Sequence, residues 1–148
     1  MSRRTEIAHK KPPEILVDLL QGYQDMQLQG PVQARKYLER SLEKHHSLPN
    51  AVKFFLYDLL AKAAADTDEI SLRNDSVQQA LKYMPFAQEE MPRMWKENLP
   101  QMHCFLLAIE GAMDEGLFAE ALEFAERAIA LGLGKVYEQK AESIRWMM

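Results

Sequence analysis

The residue pairs in this chain with the side-chain types for chemistry are His45-His46, His103-Cys104, Glu89-Glu90 and Asp114-Glu115. Imidazole and thiolate could ligate a metal or attack a carbonyl, and paired carboxylates could serve as general acid and base. The spacing argues against each. Adjacent residues on a helix point to different sides, so neither His45 with His46 nor His103 with Cys104 can chelate one ion in the usual way. The spacings H-x-x-x-H and H-E-x-x-H do not occur. Cys104 is the single cysteine. It lies in an apolar stretch and reads as a core filler, not a nucleophile. The carboxylate pairs sit in polar segments and read as solvated surface or helix ends. There is no G-x-S-x-G, no glycine loop for phosphate and no dinucleotide fingerprint. No catalytic residue, metal site or cofactor is expected.

The elements behind these residues are helical. The chain has 148 residues, enough for one domain with a real core. Its apolar fraction of 47% and charged fraction of 27% are ordinary for a globular protein. Only 6 Gly and 7 Pro occur beside many Ala, Leu, Glu, Lys and Gln, which favours helix over strand. The formal charge of −4 argues against a partner held by phosphate neutralisation, so no nucleic acid is expected. No apolar run approaches the roughly 20 residues that span a bilayer, so no membrane is expected. The basic start, Met1–Lys11, lacks an apolar signal core, and the lone cysteine fits a reducing compartment. The protein is expected in the cytoplasm.

Residues 1–13 read as a mobile basic arm, with Arg3, Arg4, Lys10 and Lys11, ending at Pro12-Pro13; the alternative is a tether to an acidic surface. Ile15, Leu16, Leu19, Leu20, Tyr23 and Met26 recur at helical spacing up to the Gly30-Pro31 break. A second helix, about 32–45, carries Ala34, Tyr37, Leu38, Ser41 and Leu42. A third, about 51–65, is apolar around much of its circumference and should be central. A fourth is predicted over 76–84, capped by Asp75 or Ser76 and stopped by Pro85. Residues 86–100 form an irregular insertion, with two short turns or a helix starting near Pro92. Met102–Asp114 and the segment after Gly116 make a further pair of helices. Gly132 and Gly134 cap the second of these, and residues 135–148 form a last helix. The domain is thus 14–148, with hairpins over about 14–46, 51–85 and 101–132.

Gly116–Leu131, GLFAEALEFAERAIAL, resembles a tetratricopeptide repeat, whose second helix reads A-L-x-x-[YF]-x-x-A-L. Phe105, Ala108, Ala112 and Gly116 stand at the family's first-helix and turn positions, and Ala121, Ala125, Ala128 and Leu131 along its second helix. Ile109 and Leu133 depart from the pattern. Tyr57, Leu60, Ala61, Ala64, Ala80, Leu81 and Pro85 match in part in the middle hairpin, where Arg73 replaces an alanine and the turn lacks glycine. Leu19, Tyr23, Gly30, Ala34 and Leu38 outline a first repeat.

The resemblance implies stacked antiparallel hairpins in an α-α superhelix, with the last helix capping the open end through Tyr137, Ile144 and Trp146 or offering those residues as a docking patch. It also implies a concave groove lined by Tyr23, Met26, Phe55, Asp58, Lys62, Leu106, Glu110 and Met113. Only Lys62 of these is basic, so the family's carboxylate clamp is not matched. A peptide or amphipathic helix of another protein is the expected ligand. Phe86, Met91, Met94 and Trp95 form a second candidate, an apolar docking patch in the insertion. The methionines read as core filler or as an adaptable groove. The function expected is therefore a non-enzymatic protein-interaction module, an adaptor or scaffold or a chaperone-like binder. A homo-oligomeric structural subunit is the alternative, and an all-α enzyme ranks third.

Overall fold

Pro12 and Pro13 begin the first helix instead of preceding it, because proline at the first helical positions loses an N–H that has no intrahelical partner. In the computed structural model, which describes residues 11–44 and 47–148, α1 is Pro12–Gln27. There follow α2 (Pro31–Lys44), α3 (Asn50–Asp66), α4 (Ile70–Glu90), α5 (Pro92–Asn98), a 3₁₀ turn (Leu99–Gln101), α6 (Cys104–Asp114), α7 (Phe118–Ala130) and α8 (Lys135–Met147). No strand occurs among the described residues, so the chain is all-α there. Residues 1–10 of the expected arm, and His45-His46, lie outside the described residues.

α3 is the centre of the fold. It packs most extensively on α4 and also meets α1, α2 and α6. Val52, Phe54, Leu56, Ala61 and Ala64 are buried on different sides of it, as its broad apolar circumference requires. Phe54, Phe105, Leu16, Leu38 and Leu56 are fully enclosed. Each such side chain stabilises the fold by about 1.5–3 kcal/mol relative to exposure. α6 in turn packs on α4 and α7, and α8 packs on α7.

Two interhelix turns are congruent although their sequences differ. After α6, Gly116 has φ 73°, its N–H donates to Met113 O at 3.0 Å, and the Leu117 N–H donates to Ala112 O at 2.8 Å. This is a Schellman closure, which satisfies the orphan carbonyls of a helix end. After α3, Asp68 takes the glycine position with φ 57°; its N–H donates to Ala65 O at 3.3 Å and the Glu69 N–H to Ala64 O at 2.9 Å. Asp tolerates the left-handed region better than most side chains do. The missing glycine therefore does not alter the turn.

Four expectations are corrected. The fourth helix begins at Ile70, six residues before its predicted start at 76, and Ser76 is buried inside it. The turn at Asp68 starts the helix at once, so no cap at Asp75 or Ser76 is needed. Pro85 does not stop that helix, which continues to Glu90. Proline removes one i→i−4 bond, and the burial of Met84 and Ala87 on either side holds the continuation in place. Residues 86–100 are consequently not an irregular insertion but the end of α4, the helix α5, which starts at Pro92 as one of the two expected alternatives has it, and the 3₁₀ turn. In the last helix Tyr137, Ala141 and Ile144 face inward, whereas Trp146 is 85% exposed and takes no part in covering the core.

Candidate functional site

Leu20, Tyr23, Gln24 and Gln27 recur at i, i+3, i+4 and i+7, which aligns them on one face of α1. Phe55, Asp58 and Leu59 share a face of α3 by the same rule. These two faces and the α5–α6 connection, Asn98 and Gln101–His103, enclose a cleft of about 330 Å³. Its floor is apolar, from Phe54, Phe55 and Met102, and all three are buried. Its rim is rich in amides, from Gln24, Gln27, Asn98 and Gln101. Gln27 Nε2 donates to the Tyr23 hydroxyl at 3.0 Å, and Asn98 Nδ2 donates to Met94 O at 2.7 Å. Such a lining offers apolar contact below and directional hydrogen bonds above, the usual division of labour in a recognition site.

Asp58 sits at the inner end of the cleft and is 5% exposed. Its carboxylate accepts from the backbone N–H of His103, 3.1 Å from each oxygen, and from the Cys104 N–H at 2.8 Å. These donors open α6, whose own N-cap residue supplies no side-chain acceptor. Asp58 thus caps α6 from across the core, where a negative group also suits the helix dipole. Burial pushes its pKa above the ordinary carboxylate value, against the opposing pull of His103 and of the backbone donors. Burial likewise pushes the Cys104 thiol well up, reinforced by Asp58 beside it. The Tyr137 hydroxyl is pushed up to about 12 by burial first and then by Cys104 and Asp58. The thiol is a buried, protonated group, the opposite of an activated nucleophile.

The eight predicted groove residues divide. Tyr23, Phe55 and Asp58 come together in the cleft. Asp58 is withdrawn from ligand contact by its backbone donors, a correction that follows from α6 needing an acceptor. Met26 is half-buried against the core and lines none of this cleft. Lys62 lies farther along α3, paired with Asp66 at 2.6 Å. Leu106 and Met113 pack against the core from α6, and Glu110 is exposed there; none of the three reaches the cleft.

The second candidate patch is also divided. Met91 and Trp95 are core residues, because α5 folds back and sets the Trp95 ring 5.4 Å from that of Phe54. Met94 is half-buried, and Phe86 is 36% exposed beside Tyr83. They do not form one exposed surface.

Gln24, Gln27, Asn98, Gln101 and His103 were not among the predicted site residues. The i, i+3, i+4, i+7 run from Leu20 to Gln27 carried the signal for the first two. The others come from a connection whose path depends on α5 folding back, which no local pattern encodes. Among the described residues no group of three His, Cys, Asp or Glu side chains is placed to hold a metal ion, and no helix is long and apolar enough to cross a membrane. Compared with protein-family models, with curated proteins and with solved structures, the chain finds no match.

Proposed function

We propose that this chain is a small tetratricopeptide-like helical-repeat module of the cytoplasm that binds a peptide or helix of another protein, without catalysis. The observation that carries the reading is the cleft between α1, α3 and the α5–α6 connection, with its apolar floor and amide rim. It is preformed by packed helices, so the partner would bear most of the ordering entropy.

The repeat part of the proposal draws support from register. The fourth residue of each second helix, Ala34, Arg73 and Ala121, is buried. The first helices also meet in order, α1 with α3 and α3 with α6, while α2 packs on α3 and α4 on α6. That is the neighbour pattern of stacked hairpins.

Panning a displayed random-peptide library on the full chain tests the function. Enriched peptides should lose at least tenfold in affinity on a Gln24→Arg/Gln101→Arg variant whose melting temperature is unchanged. Peptides that bind the variant equally well would place recognition elsewhere, and a library that enriches nothing would remove the adaptor reading. A second reading, self-association as a structural subunit, is favoured by the exposure of Val136, Trp146 and Met147 on α8. Mass that rises with concentration, and falls back with Trp146→Glu, would support it.

A further inference from the structure

α4 and α7 both pack against α6 and leave a groove over its Leu107, Ala108 and Gly111 face. The groove opens as two cavities of about 160 Å³ and about 500 Å³. Both are lined by Gln78, Glu120 and Phe124, so they form one channel. It shares no lining residue with the cleft described above, although Leu107 here and His103 there are one helical turn apart, joined by the Leu107 N–H donating to His103 O at 3.1 Å.

Its floor is Val77, Leu107 and Ala108, part of a small hydrophobic cluster that Leu81 and Phe124 bridge to the main core. Ala61, Val77, Leu107 and Ala108 are buried there, with Leu81 and Phe124 half-buried against them. One wall presents Asn74, Gln78 and Lys82 of α4 at four-residue steps, a length of about 12 Å at the helical rise. The other wall is α7 from Glu120 to Arg127, nearly the same length. An amphipathic helix that anchors through i, i+3 or i+4, and i+7 needs about 10.5 Å of groove. The channel is therefore cut to the length of such a stripe.

The rim is unevenly charged. Glu115, Glu120 and Glu123 line one side, and none of them makes an ion pair among the described residues. The two cations, Lys82 and Arg127, lie at one end and already face aromatic rings. Lys82 Nζ is 5.3 Å from the Tyr83 centroid, and the Arg127 guanidinium is 5.6 Å and 5.9 Å from those of Phe105 and Phe124. The carboxylates are left without internal partners beside an apolar floor.

We infer that this groove docks an amphipathic helix of a partner protein, apolar along one stripe and carrying Lys or Arg on the flank that meets Glu115, Glu120 and Glu123. Apolar burial supplies affinity, and the charged rim sets orientation and discriminates against acidic helices.

The probe is a fluorescent 18-residue helical peptide with a leucine stripe and flanking lysines, compared with a twin in which glutamates replace the lysines. Anisotropy with the full chain should show binding of the basic peptide that weakens with salt, and at least tenfold weaker binding of the acidic twin. Glu115→Lys/Glu120→Lys changes exposed residues only, so the far-ultraviolet circular dichroism should persist. This variant should reverse the preference. Gln78→Trp, which narrows the channel without a charge change, should weaken both peptides, and Gln24→Arg in the other cleft should weaken neither. Equal binding of the two peptides, an unchanged preference in the Lys variant, or no binding at all would overturn the inference. So would a mass measurement in which the Glu115→Lys/Glu120→Lys change dissolves a dimer, because the occupant would then be a second copy. Loss of binding with Gln24→Arg alone would move the site to the first cleft.

Discussion

The hairpins α3–α4 and α6–α7 turn in the same way with different residues. In each, one residue in the left-handed region closes the first helix, one further residue follows, and the second helix begins. The bond that seals the turn runs from Glu69 to Ala64 in one and from Leu117 to Ala112 in the other, at 2.9 Å and 2.8 Å. The fourth residue of the second helix is buried in both. In α7 it is Ala121, fully enclosed; in α4 it is Arg73. Arg73 is tolerated because its guanidinium, itself buried, reaches polar partners, with Nε donating to Asn74 Oδ1 at 3.1 Å and one terminal nitrogen 3.7 Å from the exposed Asp114. The comparison teaches that the turn is set by backbone hydrogen bonding, and that side chains at the equivalent site differ only where a route to a polar partner exists.

Exchanging those two positions should break the symmetry with the largest effect. Ala121→Arg would place a charge in a site with no such route, so the third hairpin should lose more than about 4 kcal/mol and fail to fold. Arg73→Ala removes a side chain with polar partners and should cost about 1 kcal/mol. Urea denaturation followed by circular dichroism measures both. If the two substitutions cost the same, the polar partners of Arg73 are not what permits it.

The two hairpins are also joined by Asp58, which reaches from α3 to the start of α6. Asp58→Ala would strand one buried and one part-buried N–H donor and should cost about 3 kcal/mol. Asp58→Asn keeps an acceptor and should cost less. Because burial raises the folded-state pKa of Asp58 above its unfolded value, the folded protein binds this proton more tightly. The stability contributed by Asp58 is then full below about pH 3.9, its unfolded value, and is lost as pH rises through the folded value. The wild-type advantage over Asp58→Asn should therefore shrink as the pH of the melt is raised from 3.5. An advantage that grows with pH would mean that the backbone donors outweigh burial.

The third hairpin was legible because its signals are local. Gly116 marks the turn, and alanines at one-turn spacing mark the packed face. The second hairpin was legible as helices but not in its boundaries. Asp68 carries no strong turn signature, so the sequence points to a start for α4 near Asp75, and Pro85 reads as a stop although Met84 and Ala87 pack through it. The cleft was legible only where one helix supplies it. Tyr23 and Phe55 lie on regular stripes, whereas Asn98, Gln101 and His103 arrive through the return of α5, and Trp95 enters the core by the same non-local step. The stripe of α3 sets Asp58 on the cleft face, but its task of capping α6 is not legible there, since the need of α6 for a distant acceptor cannot be seen in α3.

The smallest predicted effects sharpen the comparison at the turns themselves. Gly116→Ala puts a Cβ on a residue at φ 73°, where no neighbour lies within 4 Å, so the cost is conformational alone. It should be about 1 kcal/mol. Asp68→Gly makes the opposite change at φ 57°. It relieves the strain of a side chain in the left-handed region but gives the unfolded chain more freedom, and the two terms oppose each other. Asp is among the residues that bear this conformation best, so relief should exceed the entropic loss by only about 0.5 kcal/mol. The turn without glycine should thus gain slightly from receiving one, and the turn with glycine should lose more by giving it up. Paired thermal melts decide the point: if Asp68→Gly destabilises, the Asp68 side chain contributes to its turn beyond tolerating the backbone, and the two turns are alike in path but not in what holds them.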